Sequence, residues 1–140
     1  MLIGGVALGA LITHLVVAPR GTLQQPDTSA GRDLYGANCA KCHGVNMEGQ
    51  ADWMKRNENG RLPAPPHDES GHTWHHSDRQ LFTITKFGLA AIAPGYESDM
   101  PAFENVLTDE EIGSVWDYIK STWPERARAF QQARTEADLG

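Results

Sequence analysis

Cys39-Ala40-Lys41-Cys42-His43 sets two thiols three positions apart with an imidazole directly behind the second. On a helical turn that spacing lets each thiol add to one vinyl group of the same porphyrin, giving two thioethers. The adjacent histidine then lies under the ring plane and can ligate its iron. C-x-x-C-H is the attachment pentapeptide of haem c, and its single occurrence predicts one covalent haem. A thioredoxin-like C-x-x-C would need βαβ surroundings, which the flanking sequence lacks. Cys39 and Cys42 are the only two cysteines among 140 residues, so a disulfide scaffold and any four-thiolate zinc or iron–sulfur site are excluded.

The elements that must position this pentapeptide fit one domain. Twelve Lys plus Arg against eighteen Asp plus Glu give a formal charge of −6, the wrong sign for nucleic acid and for an anionic membrane surface. Residues 2–18 hold no charged side chain and are mostly Leu, Ile, Val, Ala and Gly. We read residues 1–20 as a transmembrane anchor or an uncleaved signal segment, helical and apolar. Removal as a signal peptide is the alternative, although no basic residue precedes the run and Pro19 would follow the cut. Either way the rest of the chain is exported. Residues 21–29 form a polar Gly- and Pro-containing linker, residues 30–124 the folded domain, and residues 125–140 a polar, loosely held helical tail.

Within the domain the pattern is all-α. Ala30 to Lys41 reads as a short helix. Residues 44–73, rich in Gly, Pro and Asn and including Leu62-Pro63-Ala64-Pro65-Pro66, disfavour helix, and so long an irregular stretch needs something rigid to wrap around. A second helix starts after Ser77, with Gln80 completing a capping box, carries Leu81, Phe82 and Ile84 inward, and stops at Gly88. A third, capped by Thr108 and Glu111, places Ile112, Val115, Trp116 and Ile119 on one face and ends at Pro124.

From Gly31 to Trp123 the sequence resembles class I c-type cytochromes of the small bacterial monohaem kind. The resemblance rests on Gly31-Arg32-Asp33-Leu34-Tyr35 leading into CAKCHG, on Met100-Pro101-Ala102-Phe103 further along, and on the closing aromatic helix. It implies a cytochrome c fold of three main helices around the haem. In that fold the first and last helices cross at a glycine–aromatic contact, for which Gly31 or Gly36 with Tyr35, Trp116 and Tyr118 are the candidates. It also implies His43 and Met100 as the two axial ligands, a pairing that raises the potential relative to bis-histidine. Met47 and Met54 follow too closely on the pentapeptide to reach the opposite face readily, and Met1 lies in the apolar segment. Similar cytochromes hold the ligating histidine through a proline carbonyl, for which Pro65 or Pro66 qualifies, and Trp74 is a candidate neighbour of a propionate.

His67, His72, His75 and His76, four of the six histidines, form a cluster. It reads first as a surface loop with one or two imidazoles near the propionates; a second copper or zinc site and a distal histidine ligand are the alternatives. Glu97, Asp99, Glu104, Asp109, Glu110, Glu111 and Asp117 run without a Lys or Arg between them. They suit either docking on a basic or weakly charged partner or solvation and capping of the third helix.

The resemblance implies a non-enzymatic carrier of single electrons between membrane respiratory complexes on the periplasmic side, anchored through residues 2–18 or, after cleavage, soluble in the periplasm. A quinol–cytochrome c reductase or membrane dehydrogenase is the implied donor, and a terminal oxidase or reductase the acceptor. Two other readings stay open: a fixed electron-entry subunit of a larger dehydrogenase or oxidase complex, and a haem peroxidase or gas sensor with a displaceable sixth ligand.

Overall fold

The computed structural model describes residues 28–140, so the expected apolar helix and most of the expected linker lie outside the described residues. Among the described residues five α-helices run in chain order: α1 (Ser29–Asn38), α2 (Ala40–His43), α3 (Asp78–Phe87), α4 (Asp109–Thr122) and α5 (Glu125–Leu139). Single 3-10 turns at Thr73–His75 and Leu89–Ala91 are added, and there is no strand among the described residues. None of the described helices is long and apolar enough to cross a membrane.

The core sits where α1 crosses α4, and Tyr35, Ile112, Val115, Trp116, Ile119 and Trp123 fill it. Gly31 permits that crossing. A Cβ there would stand 2.0 Å from the Ser114 carbonyl oxygen and 3.0 Å from the Tyr118 Cβ, so only glycine lets the backbones come this close. Gly36, the other candidate, faces open space. The four apolar positions of α4 are all buried, as their spacing predicts.

Both predicted capping boxes form. The Ser77 hydroxyl accepts from Gln80 N–H at 3.2 Å, and the Thr108 hydroxyl accepts from Glu111 N–H at 3.2 Å. On α3, Leu81 and Thr85 are the buried residues; Phe82 is half-buried against the core, and Ile84 is only half-buried. The first predicted helix is divided: α1 ends at Asn38, and the chain re-enters a separate turn, α2, after Cys39. Cys42 and His43 both donate their N–H groups to the Cys39 carbonyl, at 3.1 and 2.9 Å.

The tail differs from expectation. Residues 125–139 form the longest described helix, with Ala127 and Gln131 buried. Polar contacts hold it to the start of α3. Gln131 donates to Asp78 at 2.7 Å, Thr135 accepts from Asp78 N–H at 3.0 Å, and Asp138 takes the Ser77 hydroxyl and the Arg79 guanidinium. A helix docked through amides, hydroxyls and carboxylates shows no apolar stripe, which is why its sequence reads as loose.

Gly31→Ala is expected to cost about 3 kcal/mol or more, because backbone rather than a yielding side chain blocks the methyl. Gly36→Ala, in an open helix position, should gain about 1 kcal/mol. Denaturant unfolding of the two variants side by side checks both signs.

Candidate functional site

α2 and the turn that follows it carry the chemistry. His43 is buried, and its Nδ1 lies 2.9 Å from the Pro65 carbonyl oxygen. A carbonyl can only accept, so Nδ1 carries the proton and the neutral ring keeps the Nε2 lone pair for a metal. Burial lowers the His43 pKa and favours that neutral form. Of the two prolines considered, Pro65 takes the role.

The backbone around His43 is tied down on both sides. Gly44, at φ +84°, ends α2 in a region side chains rarely adopt, and the Tyr35 hydroxyl donates to its carbonyl at 2.8 Å. Gly49 N–H donates to the His43 carbonyl at 2.8 Å. Burial of Tyr35 raises its pKa and keeps the phenol a donor. Cys39 is half-buried and Cys42 exposed. Burial, and secondarily the charge of Cys42, push the Cys39 thiol up to about 11, so it is a protonated thiol at neutral pH.

His67 lies flat against His43, with ring centroids 3.9 Å apart and planes inclined 19°. Thr73 donates its hydroxyl proton to the Pro66 carbonyl at 3.2 Å and so accepts from His67 Nδ1 at 2.8 Å, which fixes one neutral tautomer of His67. Its backbone is held by Met47 O at 2.8 Å and by Trp123 Nε1 at 2.6 Å. Burial above all, then the neighbouring charges of His43 and His72, lowers the His67 pKa far below its ordinary value. The sequence gives no warning of this stack, because residue 67 follows a Pro-Pro pair in a loop and no periodicity marks it as core.

Met100 is half-buried against the same core that Cys39 packs on. Its N–H donates to the Ser98 hydroxyl at 3.1 Å, and the chain beyond it is pinned to the end of α3 by Phe103 N–H to Thr85 O and Glu104 N–H to Lys86 O, both at 3.0 Å. The competing methionines are placed elsewhere. Met47 is buried with its sulfur 3.3 Å from the Thr122 hydroxyl, and Met54 is exposed.

The residues fit a porphyrin. Besides the His43 lone pair and two thiols on one turn, the buried Trp74 Nε1–H makes no hydrogen bond. A buried donor of this kind is rarely left without an acceptor, and a carboxylate at a porphyrin edge would supply one.

The histidine cluster is otherwise engaged. His72 stacks on Trp53 at 5.3 Å and meets His76 edge-on at 5.5 Å, while His75 packs against Trp74 and Phe130. Among the described residues no group of three or more His, Cys, Asp or Glu side chains is placed to hold a metal ion. Most of the acidic run is paired: Glu97 and Asp99 with Arg61 and Asp109 with Lys86 from other segments, and, within α4 and its cap, Asp117 with Lys120 and Glu111 with the Thr108 N–H.

Comparison with known proteins places the chain. The family model described as "Cytochrome C oxidase, cbb3-type, subunit III" matches residues 26–119. A nitrite reductase of Stutzerimonas stutzeri is 29% identical over 127 residues, covering 86% of this chain and 20% of that protein. The cbb3-type cytochrome c oxidase subunit FixP of Sinorhizobium medicae is 25% identical over 112 residues, covering 79% of this chain and 34% of that protein. The chain thus spans about a fifth and about a third of the length of these relatives. No solved structure matches.

His67, His72 and His76 are all held neutral by burial, with their pKa values lowered. Below about pH 6.5 the unfolded chain therefore binds more protons than the folded one, and stability falls with pH through that window. Unfolding midpoints from about pH 7 to about pH 5 should show this loss, and His67→Leu should make it shallower. An unchanged slope in His67→Leu would mean that His67 is not part of the acid response.

Proposed function

The chain belongs to the family of cbb3-type cytochrome c oxidase subunit III, whose cytochrome c domains carry covalent haem c, and from that premise we propose that it is a monohaem carrier of single electrons. Bound haem supplies an iron that cycles between Fe(II) and Fe(III). Cys39 and Cys42 would hold the ring by thioethers, and His43 and Met100 would be the two protein ligands to its iron. The observation that carries this reading is the His43 ring itself. It is buried behind the C-x-x-C turn, its Nδ1–H donates a hydrogen bond to the Pro65 carbonyl, and its Nε2 lone pair is left for iron.

The protein's own contribution is to keep both ligands still while one electron comes and goes. Pro65 and the stacked His67 fix the imidazole plane, and the pinning of residues 103–104 to α3 fixes the chain leaving Met100. With both ligands bound, the iron would have no open position for oxygen or peroxide. That favours a carrier over a peroxidase or gas sensor.

In the fuller reading the domain works on the periplasmic side, held at the membrane by residues 2–18, whose uncharged apolar composition supports it. A tether raises the effective concentration near membrane partners. A quinol–cytochrome c reductase or membrane dehydrogenase would supply the electron, and a terminal oxidase or reductase would take it. The second reading, a fixed electron-entry subunit, is favoured by the likeness to FixP, which is itself an oxidase subunit.

The ferric protein is expected to show the weak near-infrared charge-transfer band of an iron–methionine sulfur bond, and Met100→Ala should abolish it. The reduced wild type should bind carbon monoxide slowly, and reduced Met100→Ala quickly. Absence of the band in the wild type, together with rapid carbon monoxide binding, would replace the carrier by a displaceable sixth site.

A further inference from the structure

The loop bearing Met100 is gripped from outside by two arginines of a distant turn. Residues 56–61 close on themselves. Asn57 N–H donates to Arg61 O at 2.8 Å, Asn57 Oδ1 accepts from Asn59 and Arg61 N–H at 3.0 Å each, and Arg56 Nη1 donates to Gly60 O at 2.6 Å. This closure presents both guanidinium groups to one neighbour. Arg56 Cζ stands 5.7 Å from the centre of the Tyr96 ring. Arg61 Nη1 bonds the carboxylate of Asp99, the residue immediately before Met100, and its Nε lies 3.7 Å from Glu97. Asp99 is also the main reason the Arg61 guanidinium holds its proton above the usual range.

Three successive contacts, at residues 96, 97 and 99, thus fall just ahead of Met100. On the far side of Met100 the chain is already pinned to α3. We propose that Arg61, aided by Arg56, is a positioning residue for Met100: the turn at residues 56–61 is a clasp that keeps the ligand loop closed and sets how readily an outside ligand displaces the Met100 sulfur. The inference rests on the reading of Met100 as the sixth ligand. Neither arginine touches the reacting atoms; both act through the backbone of residues 96–99.

The test is titration of the full-length ferric holoprotein with imidazole, followed by loss of the iron–sulfur band. Arg61→Ala should raise the apparent imidazole affinity about fivefold, the range of one exposed ion pair. Adding Arg56→Ala should take the total to roughly twentyfold through the lost cation–π contact. Asp99→Asn should reproduce the effect of Arg61→Ala, and combining the two should add little, since both remove the same pair. Salt should raise the wild-type affinity toward that of Arg61→Ala. Arg126→Ala breaks a comparable exposed pair with Glu69 away from this loop and should leave the titration unchanged.

Wild-type affinity in both Arg61→Ala and Asp99→Asn overturns the clasp, even if their melting temperatures fall, because a merely structural role moves stability and not ligand exchange. Should Arg61→Ala fail to load haem, Asp99→Asn decides alone. A wild type without the band, with Met100→Ala binding imidazole as the wild type does, overturns the Met100 reading and the clasp with it.

Discussion

The constraint on which the rest of the structure depends is that one imidazole must be buried, neutral and aimed. Burial alone would give a neutral ring, since a charged one is costly to desolvate, but it would leave the tautomer and the ring plane free. The Pro65 carbonyl removes that freedom by accepting from Nδ1. Much of the irregular loop then follows. Gln50 N–H bonds Ala64 O at 2.9 Å and His67 N–H bonds Met47 O at 2.8 Å, so the Pro-rich segment is brought back against the residues that follow His43. Prolines suit the task because their fixed φ lowers the entropy of holding a carbonyl in place.

How much of this was legible in the sequence depends on how local the physics is. The capping boxes at Ser77 and Thr108 and the apolar face of α4 are written within a few residues, and they stand as read. The pentapeptide is equally local. The break at Cys39 was not legible, because nothing in Ala30 to Lys41 is a helix breaker. The glycine contact was legible as a pair of candidates, and only the distance to Ser114 separates Gly31 from Gly36. The His67 stack and the pairing of Arg61 with Asp99 join residues far apart in the chain, and no spacing rule reports such meetings.

α5 shows the same limit from the side of energetics. Its fully buried residues are few, Ala127 and Gln131; Phe130 packs against Trp74 and His75, and the helix's polar attachment runs through Asp78, Thr135, Ser77 and Asp138. Each of these bonds contributes modestly, but leaving Gln131 or Ser77 buried without a partner would cost more than any one bond supplies. Apolar periodicity measures only one of the ways a helix can be held.

The pairing of the acidic run has a consequence for how a partner is met. A chain of net charge −6 with seven acids along one stretch suggests a long-range field around the loop that bears Met100. Yet Glu97 and Asp99 face Arg61, Asp109 faces Lys86, and Asp117 faces Lys120, each pair closed within 4 Å. Three cations, Arg61, Lys86 and Lys120, meet four of the seven acids, and Arg61 faces two of them, so this side keeps a surplus of negative charge whose reach is set by salt. That surplus would steer an approaching surface of opposite sign from afar. The paired charges are held in place and instead set the fit of surfaces at contact, where exchange of one electron needs only a short stay.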